Sequence, residues 1–388
     1  MTASPKKIVV VGCGIVGAMM AYELSNQFQA SEADIQVLDQ QTPGLGSTGA
    51  ALGVLMGIIS HKVKGRAWRL REASIRRYAT LIKELAEQGQ SVPFNSDGIL
   101  SLCFDEKDLP RWQTLKQKRE DQGWPLEIWT TEALQKRCPQ IDIGAASSEA
   151  ESEIKAAIYS PVDGQVSPVM LTQALVKAAQ AKGVSFNDEA EVTRLEMQGQ
   201  RCVGVQTQQE YFAADWVVLC AGLGSAAIAH TASTLLEESE SLTLMPVLGQ
   251  AMEIQLPDVL GNLAFQPVIN GHDIQLVPLG EGRYWLGATV EFPSAAVMES
   301  EEIIKAEADG LINLRRGAER FCRALEQAEV IRTWSGLRPR PVGQAAPVIQ
   351  PLGSCKNVTL ATGHYRNGVL LAPATAQQVC ELLKANLF

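Results

Sequence analysis

Gly12-x-Gly14-x-x-Gly17 stands near the start of the chain, and Asp39 follows 22 residues after the last of these glycines. The run Ile8-Val9-Val10-Val11 ahead of it is uniformly apolar and predicts a buried parallel strand. A helix is predicted from Ile15 to about Phe28, and a second short strand, Ile35–Leu38, ends at Asp39. Each part has a physical reason in a nucleotide-binding βαβ unit. Gly12 permits the tight turn, Gly14 lets backbone approach a pyrophosphate at the positive end of the helix, and Gly17 lets helix and strand pack closely. A carboxylate at the tip of the second strand accepts hydrogen bonds from ribose hydroxyls. The fingerprint therefore implies a bound dinucleotide, with Gly12, Gly14, Ile15, Val16, Gly17, Asp39 and Gln40 at its adenosine-diphosphate end. By itself it does not choose between NAD and FAD.

A chain of 388 residues with near-zero mean hydropathy suits two domains with ample core. The net charge of -9, with no basic tract, argues against a nucleic-acid partner. Lys6-Lys7 precedes an apolar run in the manner of a signal peptide, but that run is the first strand and its glycine loop, and no convincing cleavage site follows. No stretch of about 18 or more uncharged apolar residues is present, so no transmembrane span is expected. The eight cysteines (Cys13, Cys103, Cys138, Cys202, Cys220, Cys322, Cys355 and Cys380) form no Cys-x-x-Cys pair, and the four histidines are scattered. That pattern suggests no metal site and no disulfide framework, and fits a reducing, cytoplasmic setting.

Past Asp39 comes a second glycine-rich loop, Gly44–Gly53, in which Ser47 and Thr48 add hydroxyls to the backbone amides. Such a loop is unusual for a plain NAD domain, where a helix follows the second strand closely. Helical periodicity runs from Ala67 to Gln88 with Leu70, Ala73, Tyr78, Leu81, Ile82 and Leu85 as its apolar side. Its arginines (Arg66, Arg69, Arg71, Arg76 and Arg77) read as a solvated face. Further on the pattern predicts a strand over Ile99–Phe104, a helix over Glu106–Gly123 and a strand over Leu126–Trp129. An acidic surface loop is expected over 145–153, then a helix over Pro168–Gly183. Three short strands, Ala190–Glu196, Cys202–Thr207 and Tyr211–Phe212, lead into Asp215–Gly222, whose small residues Ala221 and Gly222 read as a return to the nucleotide. Strands are expected over Gly249–Ile254, Ile274–Pro278 and Tyr284–Val290, a helical stretch over 299–327, a late strand over Thr359–Gly363 and a closing helix over Ala374–Asn386. Nucleotide-type strands thus recur at the start, near 215–222 and near 358–363, which two domains exchanging the chain explain better than two domains in tandem.

Three late segments complete a pattern: Trp334-Ser-Gly336-Leu-Arg338-Pro-Arg340-Pro341, Gly343–Ile349 and Gly363-His-Tyr365-Arg366-Asn367-Gly368-Val369-Leu370-Leu-Ala-Pro373. With the two glycine loops, Asp163–Pro168, Pro246–Gln250 and Gly287–Glu291, the chain resembles the D-amino-acid-oxidase-like flavoproteins nearly end to end. The glycine oxidase and D-amino acid dehydrogenase branch is the nearest likeness. The resemblance implies an α/β fold (α+β overall): a Rossmann-like FAD-binding domain (1–90, 150–235 and 330–388) interleaved with a mixed-sheet substrate domain (91–149 and 236–329). It implies FAD rather than NAD, with Ser47, Thr48, Ala51, Gly53, Gly336, Gly363, Tyr365, Arg366 and Asn367 near the flavin and Val192 toward the adenine. Backbone amides around Gly368, Val369 and Leu370 suit the negative charge that a reduced flavin carries at N1 and the C2 carbonyl.

By the same resemblance Arg338 grips the carboxylate of an amino acid, a task that suits the rigid guanidinium fork. Arg366 is a second candidate, on that carboxylate or on the flavin. Gln275 stands where glycine-oxidase-like members carry a tyrosine. It keeps a hydrogen-bond donor but makes a different pocket. Arg340 is expected in solvent. His61 is a weak candidate for the ring's surroundings, and His364 is expected in a packing role. The expected chemistry is FAD-dependent oxidative deamination of glycine or a small D-amino acid. Hydride passes from the α-carbon to flavin N5, the imino acid is hydrolysed to the 2-oxo acid, and no side-chain base is required. The alternative is a dehydrogenase of D-amino acids, secondary amines or 2-hydroxy acids that passes electrons to a quinone or other acceptor instead of oxygen. A non-catalytic flavin-bound regulator or scaffold is a third reading, against which Arg338 argues. Non-covalent FAD is expected, because the nearest cysteines, Cys322 and Cys355, lie outside the Trp334–Arg338 motif. The pattern is compatible with an oligomer.

Overall fold

The computed structural model describes residues 4–144, 153–232, 241–294, 308–353 and 355–388. The acidic stretch at 145–152 and the first part of the helical stretch expected over 299–327 lie outside the described residues. A six-stranded sheet carries the nucleotide fingerprint. In spatial order its strands are Val348–Leu352, Cys355–Thr362, Trp216–Leu219, Lys6–Val11, Ala33–Leu38 and Ser185–Asn187. All pair in parallel except the first, which runs antiparallel to its neighbour. Ile8, Val9, Val10 and Val11 are buried, as a sheet covered on both faces requires.

The helix Ile15–Gln27 is apolar on all sides, with Ala18, Met19, Met20, Ala21, Tyr22 and Leu24 fully buried. It is wedged between the helices Pro168–Gln180 and Gly368–Asn386, which explains why it carries no polar stripe. The C-terminal helix starts at Gly368, six residues before the onset expected at Ala374. Pro373 hid this start, since proline reads as a helix boundary. Inside the helix its missing N–H leaves the carbonyl of Val369 without its usual partner, and the Tyr78 hydroxyl donates to that carbonyl at 2.7 Å.

A second, eight-stranded mixed sheet runs Glu329–Pro341, Leu244–Gln255, Arg283–Gly287, Ile274–Gly280, Val268–Gly271, Ile99–Cys103, Ala156–Ser160 and Glu127–Trp129. Its outer pair is the longest ladder in the described chain and sets Val247 opposite Arg338 and Gly249 opposite Gly336. Two of these strands, Ala156–Ser160 and Glu329–Pro341, come from segments expected to hold the cofactor. The stretch expected as helix up to Gln327 is a helix over Ala308–Glu319 and a separate 3-10 turn over Arg323–Gln327. Three-stranded sheets over Val192–Ala213 and around Gly164–Val166 complete the fold.

Candidate active site

One cavity of about 1040 Å³ runs between the two large sheets and reaches both glycine loops, Asp39, Arg338 and the head of the C-terminal helix. Of the residues expected around the cofactor, only Gly17 is absent from its wall. The reason is steric: a Cβ on Gly17 would overlap the carbonyl oxygen of Gly12, so this glycine works between helix and turn. Gly12 has φ +94, and a Cβ there would come within 2.7 Å of the Ala221 backbone. The turn is thereby pressed against the strand end that carries Ala221 and Gly222, both in the cavity wall.

Asp39 braces this turn. Its Oδ2 accepts from the Cys13 amide and its Oδ1 from Gln41 N at 3.0 Å. Burial raises its pKa above the ordinary value, and these amides oppose the rise. Each carboxylate oxygen retains acceptor capacity for a ribose hydroxyl. Thr48 caps the first helix from a distant loop, its Oγ1 accepting from Ile15 N at 2.9 Å. Helix geometry leaves the next amides, at Val16 and Gly17, without intrahelical partners. Ser47 fastens the second loop to the other sheet by donating to Leu337 O at 2.6 Å. The donor set is therefore that of an anion cradle, continuous with a long cavity.

The opposite end is built from charged side chains. Nη1 of Arg338 donates to two backbone carbonyls, Leu248 O at 3.1 Å and Thr289 O at 3.0 Å. Among the described residues no carboxylate forms an ion pair with Arg338. Burial, then Arg366 nearby, pull its pKa below the ordinary arginine value. The guanidinium lies over Gly249, where a Cβ would overlap it. Thr289 is itself held: its hydroxyl donates to Glu291 Oε1 and accepts from Gln250 N at 2.8 Å. Arg366 makes a two-pronged pair with Asp273, Nη1 to Oδ2 at 3.0 Å and Nη2 to Oδ1 at 3.2 Å. Gln275 Nε2 has a single weak contact, with Met56 Sδ at 3.6 Å. Arg340 is exposed and stacks over the rings of Phe292 and Tyr365.

His364 is buried, lines the cavity wall and is tied to the C-terminal helix. The Thr375 hydroxyl donates to Leu371 O, so it accepts from His364, which carries its proton on Nε2. Burial pushes the pKa of His364 down to about 3, and the ring stays neutral. His61 packs against Trp112 and is absent from the cavity wall.

Several wall features lay beyond the sequence reading. The segment 56–63, which contributes Met56 and Ser60, is fixed from two sides. Buried Asp163 takes the amides of Gly57, Ile58 and Ile59 at 2.8–2.9 Å. Fully buried Arg119 donates to the carbonyls of Ile58, Ser60 and Lys62 and stacks over Trp68. Burial raises the pKa of Asp163 to about 6 and lowers that of Arg119 to about 10. The arginines of the helix Gly65–Glu87 are also not a uniformly solvated face. Arg66 donates to Pro347 O, Arg77 pairs with Glu23 and Glu84, and Arg71 is buried in the cavity wall. Arg71 falls on the stripe of Ile75, Tyr78, Ile82 and Leu85, so the helical spacing itself carried the signal.

A family model described as FAD dependent oxidoreductase (DAO) matches residues 7–382. Glycine oxidase of Geobacillus kaustophilus is 27% identical over 383 residues, covering 97% of this chain and 92% of that protein. Its crystal structure superposes with a TM-score of 0.83 at 24% identity, covering 100% and 96% of the two chains. L-proline dehydrogenase from P. horikoshii superposes with a TM-score of 0.81 at 20% identity, covering 98% and 94%. The bifunctional protein ThiO/ThiG of Trichormus variabilis is 27% identical over 385 residues, covering 97% of this chain but 52% of that protein, so the chain spans about half its length. The fold and cavity define a flavoprotein with a Rossmann-like sheet and a second, mixed sheet. The chain belongs to the DAO family of FAD-dependent oxidoreductases. Among the described residues no helix is long and apolar enough to cross a membrane.

Proposed function

We propose that the protein oxidises the amine carbon of a small amino acid, glycine or a small D-amino acid. The observation that carries this reading is Arg338: a guanidinium fixed by two backbone carbonyls, paired with no described acid, and facing the cavity that both glycine loops enter. Its remaining donors suit a substrate carboxylate, and Gln275 supplies an adjacent amide. Arg366 and Asp273 form the neighbouring wall and limit the length of the substrate side chain. The turn at Gly12 and Gly14 and the free Val16 amide would hold the pyrophosphate, and Asp39 the ribose. Segments 1–90, 150–235 and 330–388 serve the cofactor and 91–149 and 236–329 the substrate, with strands Ala156–Ser160 and Glu329–Pro341 joining the substrate side.

Bound FAD would supply the acceptor to which the α-hydrogen leaves as hydride. The amine lone pair then forms the C=N bond, and water hydrolyses the imine to the 2-oxo acid and ammonia. Protein groups orient the substrate in this scheme, and no side-chain base is invoked. Neutral His364, with its Nε2 proton committed to Thr375, takes no part in proton transfer. Support from relatives lies in the glycine oxidase similarity across nearly the whole chain. Gln275, where the family resemblance leads to expect a tyrosine, is the position at which we place the choice of substrate.

Anaerobic addition of glycine, sarcosine, D-alanine, D-proline and hydroxy acids to the purified holoenzyme tests the reading. Bleaching of the flavin by an amino acid is expected, whereas bleaching by hydroxy acids alone would overturn it. Arg338→Ala should lower kcat/KM by about a hundredfold or more, in line with about 3 kcal/mol for an unpaired charged contact. Full activity in that variant would remove the carboxylate role. Hydrogen peroxide yield against dye reduction separates an oxidase from a dehydrogenase.

A further inference from the structure

The cavity wall holds a third guanidinium that the scheme above does not use. Arg71, on the helix Gly65–Glu87, is 8% exposed and lines the cavity together with Ser60 and Gly368–Leu370. An arginine has five N–H donors. Among the described residues its one hydrogen bond is with its own helix, Nη1 to Ala67 O at 2.9 Å. Its Nε is buried and without an acceptor. Among the described residues no carboxylate pairs with it. Burial alone pulls its pKa below the ordinary arginine value. A buried, unpaired cation costs several kcal/mol, and a flexible side chain that could reach water would do so. A wall position of this kind is completed by an electron-rich partner inside the cavity.

Two such partners occur in the proposed reaction, the substrate carboxylate and the reduced ring. The carboxylate already has Arg338, which reaches the cavity from the strand Glu329–Pro341 with its guanidinium over Gly249. Arg71 instead belongs to the helix face that meets the C-terminal helix. Ser74, one turn further along, lies 3.3 Å from the amide of Ala374, and Tyr78 reaches Val369 O. That helix head is the segment whose amides suit the N1 and C2-carbonyl edge of the flavin. We propose that Arg71 sets a fixed positive charge against this edge, adding a whole charge to the partial charge of the helix head. The proposal rests on the reading above in taking the ring to lie at Gly368–Leu370. Hydride transfer delivers two electrons and one proton, so one net negative charge is left on the ring for Arg71 to meet.

Sulfite reports this charge without turnover: its sulfur lone pair bonds to flavin N5, and one negative charge moves to the N1 edge. The holoenzyme, Arg71→Gln, Arg71→Met and Arg71→Lys are titrated with sulfite and their midpoint potentials measured. Both neutral variants should bind sulfite at least tenfold more weakly. For a two-electron couple, a tenfold change in the equilibrium constant lowers the midpoint by about 30 mV. Arg71→Lys should stay within threefold of the parent. A neutral variant that retains FAD and binds sulfite within twofold of the parent overturns the proposal. So does a variant whose only change is a raised KM for a dicarboxylic substrate, since Arg71 would then serve the substrate. The parent enzyme gives a second arm should the neutral variants not fold: the N3–H pKa of its bound flavin should lie below that of free FAD, and an equal or higher value overturns the proposal. An unchanged KM in Arg338→Ala would sink the carboxylate reading while leaving the sulfite result untouched.

Discussion

At the Asp39 end of the cavity the tightest contacts are backbone on backbone, while at the Arg338 end they are made by side chains. Gly12 and Gly17 let main chain touch main chain, and Asp39 and Thr48 serve that end by holding amides. At the other end Arg338 hangs from two carbonyls over Gly249, and Arg366 leans on Asp273. The first kind of wall tolerates almost no change at Gly12 and Gly17, because a Cβ there would strike backbone. The second is adjustable, because Arg366 is set by a side chain, Asp273, that can itself be exchanged, and Arg338 by the open space over Gly249. A family can therefore keep one cofactor and vary the molecule it oxidises.

Substitutions at paired glycines test that contrast most directly. Gly17→Ala puts a methyl group into the Gly12 carbonyl. It should cost about 3 kcal/mol, the upper end for overpacking, and largely abolish FAD retention. Flavin absorbance after gel filtration and the apparent Tm both report it. Near-normal FAD binding in this variant would break the comparison. Gly249→Ala intrudes on the Arg338 guanidinium instead. It should raise KM about tenfold to a hundredfold, corresponding to about 1.4–3 kcal/mol. Its flavin spectrum and Tm should stay close to the parent's. Loss of FAD with unchanged KM would mean that the two ends are not separable.

A smaller effect concerns the brace behind the wall. The folded pKa of Asp163, about 6, lies above the ordinary aspartate value of 3.8. Folding therefore takes up a proton between these values, and the stability that the protonated group contributes is present below 3.8 and is lost as pH rises through about 6. The difference in Tm between the parent and Asp163→Asn should accordingly change across pH 4 to 6 and level off above pH 7. A difference independent of pH would assign the Asp163 effect to hydrogen bonding alone. Acid precipitation gives a further check: yellow colour should stay in the supernatant, and a yellow pellet would mean covalent flavin.

The legible part of the site follows the same division. Gly12, Gly14, Gly17 and Asp39 announce themselves because main-chain geometry near a pyrophosphate admits few residues, and the requirement is local in sequence. Arg338 and Arg366 were found through motif resemblance. Their partners Asp273 and Thr289 were not, because an ion pair or a carbonyl contact between remote segments leaves no spacing to read. Gly249 is similar: its use depends on the register that sets Val247 opposite Arg338. Arg119 and Asp163 clamp one short segment from opposite sides, yet each alone reads as an ordinary charged residue. Arg71 was the readable exception. A polar residue on the stripe of Ile75, Tyr78 and Leu85 is a signal, and counting arginines as a solvated face concealed it. In the fold, Pro373 hid the first turn of the C-terminal helix, since Tyr78 satisfies the carbonyl that proline leaves open.

The clamp on residues 57–63 has an evolutionary consequence. Asp163 and Arg119 hold that segment by its peptide groups, so its path owes little to the identity of its own side chains. Ser60 on this rail and Met56 just before it line the cavity, and both are free to drift in size and polarity while the rail stays put. A lineage carrying such a clamp can try new substrates one side chain at a time, without first surviving the loss of a loop.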